Sequence, residues 1–231
     1  MNTPRLAATV ILARPPFEVY LTRRSAESAF APDAFVFPGG TVDAQDRATP
    51  ENAPRLAAVR ELFEEAGVLF ARDPSGRPLV ARATDWNAIA AERIAVREGR
   101  LSFADFLRAR SWHADTMALA HFSHWITPPS EPRRYDTHFF FAVAPPDQVA
   151  LADAIETHDG IWIAPAEALA RQRTGAMHLV YPTIKHLERL AAFDSVDAAN
   201  DFARTKSVIT IEPTESSGGG FVIPAELEDA W

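Results

Sequence analysis

The stretch "RELFEEAG", residues 60 to 67, constrains this chain more than any other. Leu56, Val59, Leu62, Phe63 and Ala66 recur at helical spacing and define a stripe to be buried. At 3.6 residues per turn, Glu61, Glu64 and Glu65 fall within about 100° of arc on the other side, with Arg60 beside them. Gly67 stands just past the helix end, where a left-handed conformation suits glycine. The three acids therefore crowd a last turn whose dipole favours cations. The Glu61/Glu64 and Glu61/Glu65 pairs repel by about 0.2–0.5 kcal/mol each when exposed. From these residues alone two explanations stay open. One is a solvated face built from a good helix former; the other is a set of hard oxygen ligands completed by a divalent cation such as Mg²⁺.

With 231 residues, 47% of them hydrophobic, the chain can build a real core, and one domain over 1–231 is expected. A net charge of −8 argues against a nucleic-acid partner, which would need a basic footprint. A polyanionic ligand would need local arginines or a metal. The absence of cysteine excludes disulfides, thiol nucleophiles and zinc–thiolate sites. No apolar run reaches about 18 residues and no signal-like leader is seen, so the expectation is a cytoplasmic protein without a membrane partner. The sequence leaves monomer and homodimer both open.

Along the chain, residues 6–13 and 17–23 read as strands joined through Arg14-Pro15-Pro16, and 34–40 as a third ending in Pro38-Gly39-Gly40. A strand is expected at 68–71 after the acidic helix. Helical periodicity over about 84–119 indicates an all-helical insertion. Strand character resumes at 121–127, 137–144 and 160–164, followed by C-terminal helices and a flexible "SSGGGF" turn at 216–221. His121 and His124, three apart on a strand, are expected on opposite faces and in structural roles.

"FPGG" followed by "RELFEEAGV" resembles the Nudix box, whose pattern is Gly, five residues, Glu, seven residues, then Arg-Glu-U-x-Glu-Glu-x-Gly-U with U aliphatic. Every specified position from Arg60 to Val68 matches. Gly40 to Arg60, however, spans 20 positions where the box has 14, so six residues are inserted. The role of the first Glu is left unassigned between Asp46, at the uninserted spacing, and Glu51. The resemblance implies an α/β Nudix fold, a mixed β-sheet sandwiched between helices, and hydrolysis of a diphosphate by water with Mg²⁺ or Mn²⁺. It implies Glu61, Glu64 and Glu65 as metal ligands with the Gly40 carbonyl as a fourth, and Arg60 as the residue orienting them. The general base is either Glu61 or Glu156, with Asp159 behind the latter.

A narrower resemblance concerns substrate. "LTRRS" (21–25), twelve positions before Phe37, is similar to the upstream element of the coenzyme A diphosphatase branch of Nudix enzymes. Ala29 and Asp33 stand where that element has Arg and Gly. The lengthened box, the insertion and "HWITPPSEPRRYDTHFFF" are similar to the mammalian peroxisomal coenzyme A diphosphatase and its bacterial relatives, though "EDAW" is no peroxisomal address. Arg23, Arg24, Arg133 and Arg134 are paired cations able to meet phosphates, and Trp125 or Tyr135 could stack on an adenine. Coenzyme A or acyl-coenzyme A is the expected small-molecule nucleoside diphosphate substrate. The alternatives are ADP-ribose, NADH or a dinucleotide, or a non-catalytic domain that senses a nucleotide.

Overall fold

The computed structural model describes residues 3–28, 31–48, 50–79, 83–152, 157–228 and 230–231. β1 (Arg5–Arg14) and β2 (Glu18–Arg24) form the expected antiparallel hairpin. The strand expected at 34–40 is instead two: β3 (Phe35–Val36) pairs with β2, and β4 (Gly39–Thr41) crosses to β1. The change of partner falls at Pro38, which has no N–H for a ladder but whose carbonyl still accepts from Val10 N–H at 2.8 Å.

α1 (Ala53–Ala66) follows, and ends as read from the sequence: Gly67 takes φ 69° and its N–H bonds to the Phe63 carbonyl at 3.0 Å. Beyond it the strand at 68–71 is reduced to β5 (Ala71–Arg72). Gln148 replaces a partner strand there, its amide accepting from Leu69 N–H at 2.8 Å and donating to the Leu69 carbonyl at 3.0 Å. α2 (Ala83–Arg97) and α3 (Phe103–Arg108) occupy most of the segment 84–119. Within it a short β6 (His113–Ala114), for which the periodicity carries no signal, pairs with β5. Then come β7 (Ala120–Ile126), β8 (Tyr135–Val143), β9 (Thr157–Ile163), α4 (Pro165–Arg173), α5 (Tyr181–Leu190) and α6 (Val196–Thr205). The chain closes with β10 (Thr210–Ile211) and the small pair β11 (Thr214–Glu215) and β12 (Phe221–Val222) around the glycine-rich turn.

The main sheet runs β10-β7-β8-β1-β2-β3, with β4 on β1 and β9 on β2. It is mixed: β8 runs parallel to β1 and β10 to β7, whereas β2 and β7 are antiparallel to their neighbours β1 and β8. Helices cover both faces, which is why β1 reads as a nearly continuous apolar run. Ala8, Val10 and Leu12 face α1, α2 and α3; Ile11 and Ala13 face α4, α5 and α6. Phe63 of α1 stacks on Phe106 of α3 at 4.9 Å, so α1 is buried on its outer side as well. Among the described residues, no helix is long and apolar enough to cross a membrane.

One local irregularity overturns a sequence expectation. β7 is bulged at Phe122, its register against β8 shifting from His121↔Phe140 to Ser123↔Phe139. An extra residue in one strand breaks the period of two. Phe122 and Ser123 thus both face α5 and α6, while His121 and His124 lie on the same face, not on opposite ones. Both pack against His138, with ring centroids 5.0 and 4.3 Å away.

Candidate active site

The acidic face of α1 is not solvated. Arg60 is 2% exposed, Glu65 6%, and the Glu61 and Glu64 side chains 13% each. They pack against β4 and the loop that follows it. Every N–H of the Arg60 guanidinium has an acceptor: Nε donates to Asp46 Oδ1 (3.1 Å), and Nη2 to Asp46 Oδ2 (2.9 Å) and the Thr41 carbonyl (2.9 Å). Nη1 donates to Glu61 Oε1 (2.8 Å) and Glu64 Oε1 (3.2 Å). Burial works against this cation, but the Asp46 hydrogen bond and the charges of Glu61, Asp46 and Glu64 outweigh it and raise its pKa. One guanidinium thereby sets the position of two carboxylates.

Of the two acids left open in the sequence, this contact involves one. Asp46, 3% exposed in a 3-10 turn at Ala44–Ala48, is the acid that Arg60 holds; Glu51 is exposed. Asp46 also accepts the Asp43 N–H at 2.9 Å.

The two glycines matter for what they lack. A Cβ on Gly40 would lie 2.4 Å from Glu61 Oε1, and one on Gly39 2.4 Å from the Ala8 carbonyl. Gly39 N–H donates to Glu65 Oε2 at 3.0 Å. The backbone of β4 therefore approaches the carboxylates as closely as sterics permit. Burial pushes the Glu61 carboxyl up to about 7; Arg60 pulls it down, and Glu64 and Asp43 add to the rise. Crowded, desolvated carboxylates, two of them held by one arginine, have the oxygen donor chemistry of a hard divalent cation, and the lack of a side chain at Gly40 is what admits the Glu61 carboxylate against β4.

A cation missed by sequence reasoning stands at the C-terminus of α1. Arg93 of α2 donates through Nε to the Glu64 carbonyl and through Nη2 to the Leu151 carbonyl, both at 2.9 Å. It supplies the positive charge the helix end favours. No local spacing could reveal it, because it is 29 positions away.

The other expected residues fare unevenly. Arg23 pairs with Asp33 (3.2 Å) and Asp159 (3.7 Å) at the edge of β2 and β9, and its neighbour Arg24 bonds through its backbone to Ala34. Arg133 is exposed just before β8, whereas Arg134 is drawn inward, donating to the Thr127 carbonyl and Glu212, each at 2.8 Å. Trp125 is 3% exposed and packs on His186 and Trp231 beneath the opposite sheet face, so it is not a stacking surface for a ligand. Glu156 lies outside the described residues.

A mixed sheet between helices, with an arginine-locked carboxylate helix against a Gly-Gly strand, is the arrangement of a Nudix hydrolase. The family model described as the NUDT19 Nudix domain matches residues 47–190, and the chain belongs to this family. It is an enzyme of the NUDT19 branch, hydrolysing phosphorus-containing anhydrides. It is 26% identical over 277 positions to the human acyl-coenzyme A diphosphatase NUDT19, covering 90% of this chain and 74% of the relative. The Gallus gallus protein of that name is 28% identical over 257 positions, covering 83% and 66%. Among solved structures, a NUDIX hydrolase from Alicyclobacillus acidocaldarius superposes with a TM-score of 0.76 at 28% identity, covering 89% of this chain and 97% of that one.

Proposed function

We propose that the protein is a metal-dependent diphosphatase whose substrate is coenzyme A or acyl-coenzyme A. The observation that carries the metal dependence is the single buried Arg60 that holds Glu61 and Glu64 while Gly40 abuts Glu61. In this reading Glu61, Glu64, Glu65 and the Gly40 carbonyl hold Mg²⁺ or Mn²⁺. The chemistry such an ion supplies is neutralisation of charge on the diphosphate oxygens and a lowered pKa for the attacking water. Arg60 fixes the carboxylates before substrate arrives, so little reorganisation is needed during reaction. Either Glu61 or Glu156 takes the proton from that water, and a Glu156→Gln protein with full turnover would remove Glu156.

The substrate assignment is supported by the names of the human and chicken relatives and by the basic residues Arg23, Arg24 and Arg133 near strand ends. Arg134, already committed to Thr127 and Glu212, contributes to substrate only by holding its loop. The discriminating experiment is a product assay over coenzyme A, acyl-coenzyme A, ADP-ribose, NADH and diadenosine compounds with Mg²⁺ or Mn²⁺. Release of 4′-phosphopantetheine, or its acyl form, supports the proposal; cleavage restricted to ADP-ribose or dinucleotides replaces the substrate. Tight binding without cleavage of any member would favour a nucleotide sensor.

A further inference from the structure

Away from the glutamate helix, His124, Asp136 and His138 each bring a ligand atom within 4.8 Å of the others. The bulge at Phe122 makes this possible by turning His124 toward His138. His138 is in register with Ala8, and Ala8 with Gly40. The cluster therefore lies on the α1 face of the sheet, two strand spacings or about 10 Å from the glycine that abuts Glu61.

The second nitrogens of the two imidazoles are both held. His124 Nδ1 is hydrogen-bonded to Thr210 Oγ1 at 2.8 Å, and His138 Nδ1 to His121 Nε2 at 3.1 Å. Metal-ligating histidines are oriented in this way, one ring nitrogen fixed by a neighbour so that the other presents its lone pair. His124 Nε2 is in hydrogen-bond contact with Asp136 Oδ1, so the ligand atoms already converge on one point where a cation would bridge them.

We propose that His124, Asp136 and His138 form a second cation site, taking a first-row divalent transition ion of the Zn²⁺ class in preference to Mg²⁺. Imidazole nitrogens suit Zn²⁺, Co²⁺ and Ni²⁺, whereas carboxylate and carbonyl sets suit Mg²⁺. Three protein ligands leave a coordination position open to an anionic oxygen.

The test is titration of the full chain with Co²⁺ in excess Mg²⁺, read by d–d absorption. The expected result is a nitrogen-ligated spectrum abolished by Zn²⁺. Affinity should fall at least about tenfold in His138→Gln and in Asp136→Asn, and stay unchanged in Glu61→Gln and Glu64→Gln. Unchanged affinity in the first two variants, or loss confined to the glutamate variants, overturns the proposal. If the histidine and aspartate variants do not fold, histidine ring NMR signals of the unsubstituted protein decide. Zn²⁺ must move those of His124 and His138, and signals that stay put overturn the site.

Discussion

Asp46 and Arg60 lie 14 positions apart, are each buried to within 3% of full exclusion, and are joined by paired hydrogen bonds of 2.9 and 3.1 Å. Neither charge has a reason to leave water without the other. Removing Asp46 leaves a buried guanidinium short of two acceptors. Asp46→Ala is expected to cost about 3–5 kcal/mol in denaturant unfolding and to lower turnover, since Arg60 also positions Glu61 and Glu64. Glu51→Ala, at an exposed position, should stay within about 0.5 kcal/mol of the parent. Equal effects of the two substitutions would refute the pairing as the anchor of the site.

Gly40→Ala places a methyl 2.4 Å from Glu61 Oε1. The carboxylate must move, and a displacement near 1 Å at a reacting centre is expected to lower turnover by about 10²-fold or more. Circular dichroism should remain that of the parent. Steady-state kinetics with unaltered kcat would show that Glu61 has no fixed position to lose.

Excess chelator is expected to abolish hydrolysis while shifting Tm by only about 2–4 °C. Arg60 rather than the metal holds the carboxylates together, and a weakly bound ion adds little to folding. A thermal melt and an activity assay on the same sample check both halves. Turnover that persists without divalent ions would sink the metal-dependent reading.

His186 sits fully buried on α5, its Nδ1–H donating to the Pro182 carbonyl and its Nε2 accepting from the Ser123 hydroxyl, both at 2.6 Å. Burial lowers its pKa to about 3; the Pro182 carbonyl opposes this, and Lys206 and Arg189 reinforce it. The unfolded chain, with a histidine near 6.5, therefore binds the proton first as pH falls. Its contribution to stability is whole above about 6.5 and is lost on descent toward 3, at up to about 1.4 kcal/mol per pH unit. His121 and His138 act in the same direction down to about 4. His186→Gln keeps a hydrogen-bonding side chain but cannot titrate. Urea unfolding between about pH 4.5 and 6.5 should show a shallower pH dependence for this variant; identical slopes would exclude His186 as a source.

Much of α1 was readable because its signals are local. Helical spacing, the full match from Arg60 to Val68 and the glycine at 67 depend on neighbours within two turns, and a helix obeys them wherever it packs. The choice between Asp46 and Glu51 was not readable, because both acids lie in the inserted loop and only the folded loop sets one against Arg60. Arg93 and Gln148 were invisible for the same reason, since each serves backbone groups far away in sequence. The reading of Trp125 as a candidate stacking surface failed at another level. Alternation tells that a strand has two faces, but not which face a layer of helices will seal.

By itself, then, the sequence determined the carboxylate helix, its end at Gly67, the Gly-Gly strand before it and the Nudix class, all of them short-range patterns of residue type. The tertiary structure decided which acid anchors Arg60, which cation meets the helix end, and that His121 and His124 share a face with His138. One inserted residue at Phe122 reverses the side on which every following residue of that strand emerges, and whether such a bulge forms depends on pairing with β8, 17 positions on.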